Sequence, residues 1–278
     1  MTLLSPLRSL LSIQLLFSLL LCSSITTAAT TDSHSAPAVA GLAAAHVSTP
    51  TDGTQPSAQP SVPLLPRPFE AVYVAKYSGM SVKATRTLLP LEDGTMELRF
   101  VAKSWLATIR EVSQFNWSPT GQLIPQYYLY QRRGLGHDRT AELNFDWDTQ
   151  RVKNDVQNRP WSMDLPEGTL DKLSYQLQLS ADTLNQKNKV SYKVADGGRL
   201  KVYDFQVEGQ EILDTPLGKI KTTRIKRIRD DNERVTVLWL ATDWNHLLVK
   251  IWQQEEDGQH YEINLASAKL DGETVTGF

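Results

Sequence analysis

Between residues 95 and 101, Met96, Leu98 and Phe100 alternate with Glu97 and Arg99, and further along Val249 and Ile251 alternate with Lys250 and Trp252. A period of two places alternate side chains on opposite faces of a pleated strand, so both runs read as half-buried strands. Runs of the same kind predict strands at 69–77, 82–89, 109–117, 123–131, 141–147, 189–194, 201–207, 218–227, 234–240 and 260–267. Turn residues separate them: Glu92-Asp93-Gly94, Pro119-Thr120-Gly121, Ala195-Asp196-Gly197-Gly198, Glu208-Gly209, Asp230-Asp231-Asn232 and Glu256-Asp257-Gly258. About a dozen strands joined by such short turns pair as antiparallel hairpins.

One segment departs from the alternation. Leu170, Leu173 and Leu177 follow Thr169 at helical spacing behind the lead-in Pro166-Glu167-Gly168, which predicts a short helix near 169–180 with Thr169 as its cap. Leu173, Tyr175, Leu177 and Leu179 also alternate, so the segment carries both periods. With one helix and many strands, the expected fold is mainly β. A curved antiparallel sheet, a half-barrel or a sandwich, would bury its apolar face.

Composition changes the picture at one place. The chain of 278 residues has 22% charged residues, a net charge of −2 and one Cys, yet residues 1–66 hold only Arg8, Asp32 and Asp52 as charges and no Trp or Tyr. Arg8, the apolar run 10–21 and the small residues Thr27, Ala28 and Ala29 read as a cleaved export signal over 1–29. The run is too short for a membrane span, which takes about 20 apolar residues. Acylation at Cys22 would anchor the chain, but Leu19, Leu20 and Leu21 stand where lipoprotein signals carry a small residue, so soluble export, to the periplasm, is expected. The mature chain then has no thiol for catalysis, redox pairing or zinc. Residues 30–66, rich in Ala, Ser, Thr and Pro, read as a disordered linker, and 67–278 as a single β domain.

Candidate chemistry is sparse. His34 and His46 fall in the linker, and His137, His246 and His260 are far apart, with no metal-binding spacing. Gly79-Met80-Ser81 lacks the second glycine of a nucleophile elbow, and no glycine-rich nucleotide loop occurs. Asp146 with Asp148, and Asp230 with Asp231, are the acid pairs a glycosidase would need if they faced a cleft; in a strand, Asp146 and Asp148 share a face opposite Trp147. Asn116-Trp117-Ser118 formally matches a glycosylation sequon, to which no weight is given. Lys219, Lys221, Arg224, Lys226, Arg227 and Arg229 form a basic run answered by Asp230, Asp231 and Glu233, a solvated strand before it is an anion site. Tyr127, Tyr128 and Tyr130 share a strand, and Trp239, Trp244 and Trp252 cluster late in the chain, as core aromatics or as the lining of a ligand cavity.

Four ordered landmarks carry a resemblance. Asn144-Phe145-Asp146-Trp147, the run Leu170-Asp171-Lys172-Leu173-Ser174-Tyr175-Gln176-Leu177, Thr215-Pro216-Leu217-Gly218, and Trp239-Leu240-Ala241 followed by Val249-Lys250-Ile251 resemble the bacterial exported family known as domain of unknown function 3108, over 69–270. The resemblance implies an exported, mainly antiparallel β protein of the Gram-negative envelope with no catalytic residues to carry over. It departs at Ser78-Gly79-Met80-Ser81, where similar proteins tend to show paired glycines. The expected function is a non-enzymatic binder or carrier of a hydrophobic or amphiphilic ligand, such as a lipid or glycolipid, with no cofactor, metal or nucleic acid. The alternatives are a scaffold that docks another envelope protein and, last, a carbohydrate-active enzyme.

Overall fold

The computed structural model describes residues 62–278 apart from 78–79, 106, 135–136, 157–159, 197 and 230–233. The segments expected to be an export signal and most of a linker, together with Cys22, His34, His46, Ser78-Gly79 and the acids Asp230, Asp231 and Glu233, therefore lie outside the described residues. Among the described residues sixteen strands form a single sheet. β1 (Phe69–Tyr77), β2 (Met80–Pro90), β3 (Met96–Lys103), β4 (Ala107–Trp117), β5 (Leu123–Gly134), β6 (Arg139–Asp146), β7 (Arg151–Val156) and β8 (Pro160–Asp164) run as an antiparallel meander, each beside its predecessor.

The chain then passes through β9 (Thr169–Leu170) and helix α1 (Ser174–Leu184) into a second meander: β10 (Lys189–Asp196), β11 (Arg199–Thr215), β12 (Gly218–Ile228), β13 (Val235–Ala241), β14 (Leu247–Gln254) and β15 (His260–Leu270). β15 pairs with β1, which joins the two meanders into one sheet, and β16 (Glu273–Thr274) folds back on β15. The sheet ends at β8 and β9, which do not pair, so it is curved but not closed. Bulges at Val72/Tyr73, Gln114/Phe115, Val207/Gly209 and Trp239/Leu240 supply bend and extra twist. The ends nevertheless approach: Trp161 of β8 lies on Gly198 in the β10–β11 turn, where an added Cβ would fall 1.6 Å from the ring.

Helix α1 fills the inside of the curve. Nine of its eleven residues are buried, and Tyr175 packs edge-on to Tyr203 at 5.4 Å and stacks with Phe205 at 5.8 Å. Its polar side chains are all put to use. Gln178 accepts from Leu123 N–H and donates to Gly121 O, and Asp182 accepts from Tyr192 Oη at 2.8 Å. A helix buried all round need not show a clean apolar stripe, which is why its sequence carries two periods.

Three details differ from the sequence reading. The helix begins at Ser174, not Thr169, and Thr169 belongs to β9. Its start is a reciprocal box in which Asp171 Oδ1 accepts from Ser174 N–H at 2.8 Å and Ser174 Oγ accepts from Asp171 N–H at 2.7 Å. Glu208-Gly209 is no turn: Gly209, at φ 151°, is the bulge that lets β11 run on to Thr215. Residues 62–66, assigned to the linker by composition, lie against the domain, with Leu64 N–H and Leu64 O both bonded to the Asn185 side chain. No helix among the described residues is long and apolar enough to cross a membrane.

Candidate functional site

The alternation that buries the sheet also carries charge into its interior. In β2 the inward set is Val82, Ala84, Arg86 and Leu88; in β4 it is Ile109, Glu111, Ser113 and Phe115. Arg86 and Glu111 thus sit in phase with apolar residues and are forced inside by strand geometry alone. From the other side, the turn into α1 brings Asp171 and Lys172, and the end of β10 brings Asp196.

Partners hold each carboxylate. Tyr128 Oη donates to Glu111 Oε2 at 2.5 Å. Ser113 Oγ donates to Asp171 Oδ2 at 2.6 Å, while Asp171 Oδ1 receives the backbone N–H groups of Leu173 and Ser174. Asp196 is shared by Lys172 at 3.6 Å and Lys201 at 2.7 Å. Burial pushes the carboxyls of Glu111 and Asp171 above the ordinary range, against the pull of these hydrogen bonds and, for Glu111, of the Lys172 charge. Tyr128 is raised well above the usual phenol by burial and by Glu111, and burial lifts Tyr73 to about 12.

Arg86 is the exception. It is 6% exposed, its Nε has no hydrogen-bond partner, and among the described residues no carboxylate reaches ion-pair distance of it. Two interior cavities meet at this side chain. One, of ≈ 30 Å³, is walled by Tyr73, Phe100, Leu248, Ile251 and Ile263, with Glu111 and Lys172 also in its lining. The other, of ≈ 10 Å³, is lined by Arg86 and His246 among others, and His246 Nδ1 is also without a partner. Together these spaces hold a few waters at most, at roughly 10–15 Å³ each. Among the described residues the protein's own side chains line these spaces closely, and neither of the two has room for a wholly hydrophobic cargo. A larger concavity, ≈ 420 Å³, is instead a polar groove where the β4–β5 turn approaches β10; it is lined by Gln178, Asp182, Lys187 and Tyr192 among others.

The family described as Protein of unknown function (DUF3108) matches residues 81–265, the stretch that runs from β2 through α1 into β15. The chain belongs to the DUF3108 family. Among solved structures, this DUF3108 fold is similar to the beta-barrel-like protein of domain of unknown function DUF1849 from Brucella abortus, at a TM-score of 0.52 and 10% identity over 74% of this chain and 98% of that one. The structure of MucB in complex with MucA(peri) also matches, at 12% identity over 74% of this chain and 50% of that one, but its TM-score of 0.30 is too low to speak for a shared fold. No curated protein matches the chain in sequence.

Most residues singled out in the DUF3108 sequence are dispersed by the fold. β6 ends at Asp146, which receives Thr149 N–H at 3.0 Å in a surface turn, and Asp148 is exposed in the same turn. They are turn residues, not neighbours on one strand face, and Trp147 packs away from them, donating to Pro125 O and stacking on Phe145. Among the described residues no group of three His, Cys, Asp or Glu could hold a metal ion; His137 is exposed and His260 stacks on Trp252 at 6.1 Å.

The basic run divides. Lys219 and Lys221 pair with Asp214 and Asp243, Arg224 pairs with Glu208 and lies over Trp239, and Arg227 turns inward over the Tyr203 ring at 3.8 Å. Trp239 and Trp244 have separate duties, the first beside Arg224 and Lys250, the second donating to Thr276 O. Of the tyrosine trio, Tyr128 enters the interior network by its hydrogen bond to Glu111, and Tyr130 meets Lys172 at 5.8 Å. Arg86, Glu111, Ser113, Asp171, Lys172 and Asp196 were missed, although a charge in phase with an apolar alternation was a visible signal for Arg86 and Glu111.

Proposed function

We propose that the protein is an exported, non-enzymatic binding protein of the cell envelope that receives an amphiphilic ligand on the inner face of its curved sheet. Export rests on the signal-like residues 1–29. The observation that carries the reading is the charged cluster of Arg86, Glu111, Lys172 and Asp196 inside an otherwise apolar cup. Burying ions costs several kcal/mol each unless they are well paired, and a sheet needing only a core would place aliphatic residues there. Apolar walls with a few convergent polar groups are the usual make-up of a ligand site. Binding fits better than catalysis because Glu111, Asp171, Asp182 and Asp196 are each held by partners of the fold. The small cavities favour a ligand with a polar head over a wholly hydrophobic one. Native mass spectrometry and organic extraction of the full chain purified from its host test the reading. A bound amphiphile near one-to-one supports it; a ligand-free protein overturns it.

A second reading, docking of an envelope protein, is favoured by one observation. β10 pairs with β11 only as far as Gln206, and among the described residues no strand covers the outer edge of β11 from Glu208 to Thr215. Ile212 in that stretch is 56% exposed. An open edge of this length can add a partner's extended segment by backbone hydrogen bonds.

A further inference from the structure

The interior holds a cation, Arg86, for which no ion-paired carboxylate stands among the described residues. Lys172 has Asp196, and Glu111 has Tyr128, but Arg86, tied to β2 and buried, has neither a hydrogen-bonded nor an ion-paired partner among the described residues. Glu111 lies near enough for its charge to act on Arg86, but a buried guanidinium whose Nε is left unbonded is still costly, and an arginine kept for packing alone would be replaced by an apolar chain at no loss. Its planar fork of donors matches the two oxygens of a carboxylate.

The surroundings fit that match. The ≈ 30 Å³ cavity beside Arg86 has the room of about two water-sized atoms, which is what a carboxylate's two oxygens need. Phe100, Leu248, Ile251 and Ile263 form its walls, so an apolar group joined to the acid has to part these side chains to enter. On the other side His246 Nδ1, equally without a partner, lines the second cavity that Arg86 borders.

Resting on the binding reading above, we infer that Arg86 anchors a monoanionic carboxylate in the cavity bounded by Phe100, Leu248, Ile251 and Ile263. The acid is either a small free carboxylate or the head of a fatty-acid-like amphiphile.

The test titrates the full chain with sodium acetate, sodium octanoate and 1-octanol, followed by isothermal calorimetry and by the shift in melting temperature. Octanoate binding at least tenfold tighter than acetate supports the amphiphile source; comparable binding of the two supports the small free acid. In either case 1-octanol gives at least a tenfold weaker response, and Arg86→Met abolishes carboxylate binding while melting no lower than the unliganded wild type. Arg86→Lys, which keeps the charge but not the fork, retains binding weakened at least tenfold. Octanol binding as well as octanoate, or undiminished carboxylate binding in Arg86→Met, overturns the assignment to Arg86 while leaving a binding protein. Absence of any response to all three probes overturns the site. If no ligand co-purifies either, the wider reading falls with it.

Discussion

Ser113 in β4 donates its hydroxyl proton to Asp171 Oδ2 at 2.6 Å, and both residues are fully buried. The same carboxylate, through its other oxygen, receives the first N–H groups of α1. One side chain therefore fixes the start of the helix and ties it to the middle of the first meander, so the position of α1 inside the cup depends on a single buried acid.

Ser113→Ala is expected to lower stability by about 1–2 kcal/mol, the worth of a hydrogen bond to a charged group. Asp171→Ala, which strands two backbone donors and the Ser113 hydroxyl, should cost about 3 kcal/mol or more. Urea unfolding of the three proteins measures both, and equal losses would mean the helix start does not depend on Asp171.

Glu111 gives a pH signature. Its folded pKa is raised by burial above the unfolded value of about 4.3, so the folded state holds the proton more tightly. Its contribution is complete below pH ~4.3 and is lost as pH rises through the higher folded value. The urea midpoint of the wild type should fall across that window more steeply than that of Glu111→Gln, whose amide does not titrate and still accepts from Tyr128. Asp171, raised by the same cause, leaves the variant a residual slope. Superimposable profiles would rule Glu111 out as a titrating group.

At the seam, Gly198 has φ +82° and its missing Cβ makes room for the Trp161 ring. Gly198→Ala should destabilise by about 1–3 kcal/mol, from the left-handed backbone and from the clash. In the Trp161→Ala background the clash part disappears, leaving a smaller loss. A double-mutant cycle with zero coupling would show that the two sheet ends do not lean on each other.

The open side of β11 predicts an alternating exchange pattern. From Glu208 to Thr215, amides bonded to β12 should be protected and those facing outward should exchange like free amides. Hydrogen exchange read residue by residue decides this, and uniform protection would mean that something covers the edge. Ile212→Lys should leave stability within about 0.5 kcal/mol, as exposed substitutions do.

How much of this was legible depended on which forces act locally. Strands such as β1, whose bounds coincide with the alternation at 69–77, announce themselves because one face is apolar throughout. β7 did not, since Asn154 occupies the inward position that follows Val152, and β8 did not, since Pro160 opens a five-residue strand that is almost wholly exposed. The helix was found but started four residues early or more, because Asp171, not Thr169, caps it. The interior cluster escaped for a different reason. Arg86 and Glu111 read as surface charges when taken one residue at a time, and only their phase against Val82, Ala84, Ile109 and Phe115 says otherwise. What no phase could reveal is that Asp196 and Lys172, from separate elements, would meet them there.

The pairing of β1 with β15 brings Phe69 beside Leu270, about 200 residues apart in the chain. Each meander can zip up from neighbouring hairpins, but the joint between them waits for the last long strand to emerge. Refolding should therefore show a slow phase governed by closure of this distant contact. Until then β1 and β15 both present bare backbone edges, the templates on which unfinished chains stick to one another. Such a molecule has reason to travel with a chaperone during its assembly, and the moment of greatest danger in its life comes before β15 has reached β1.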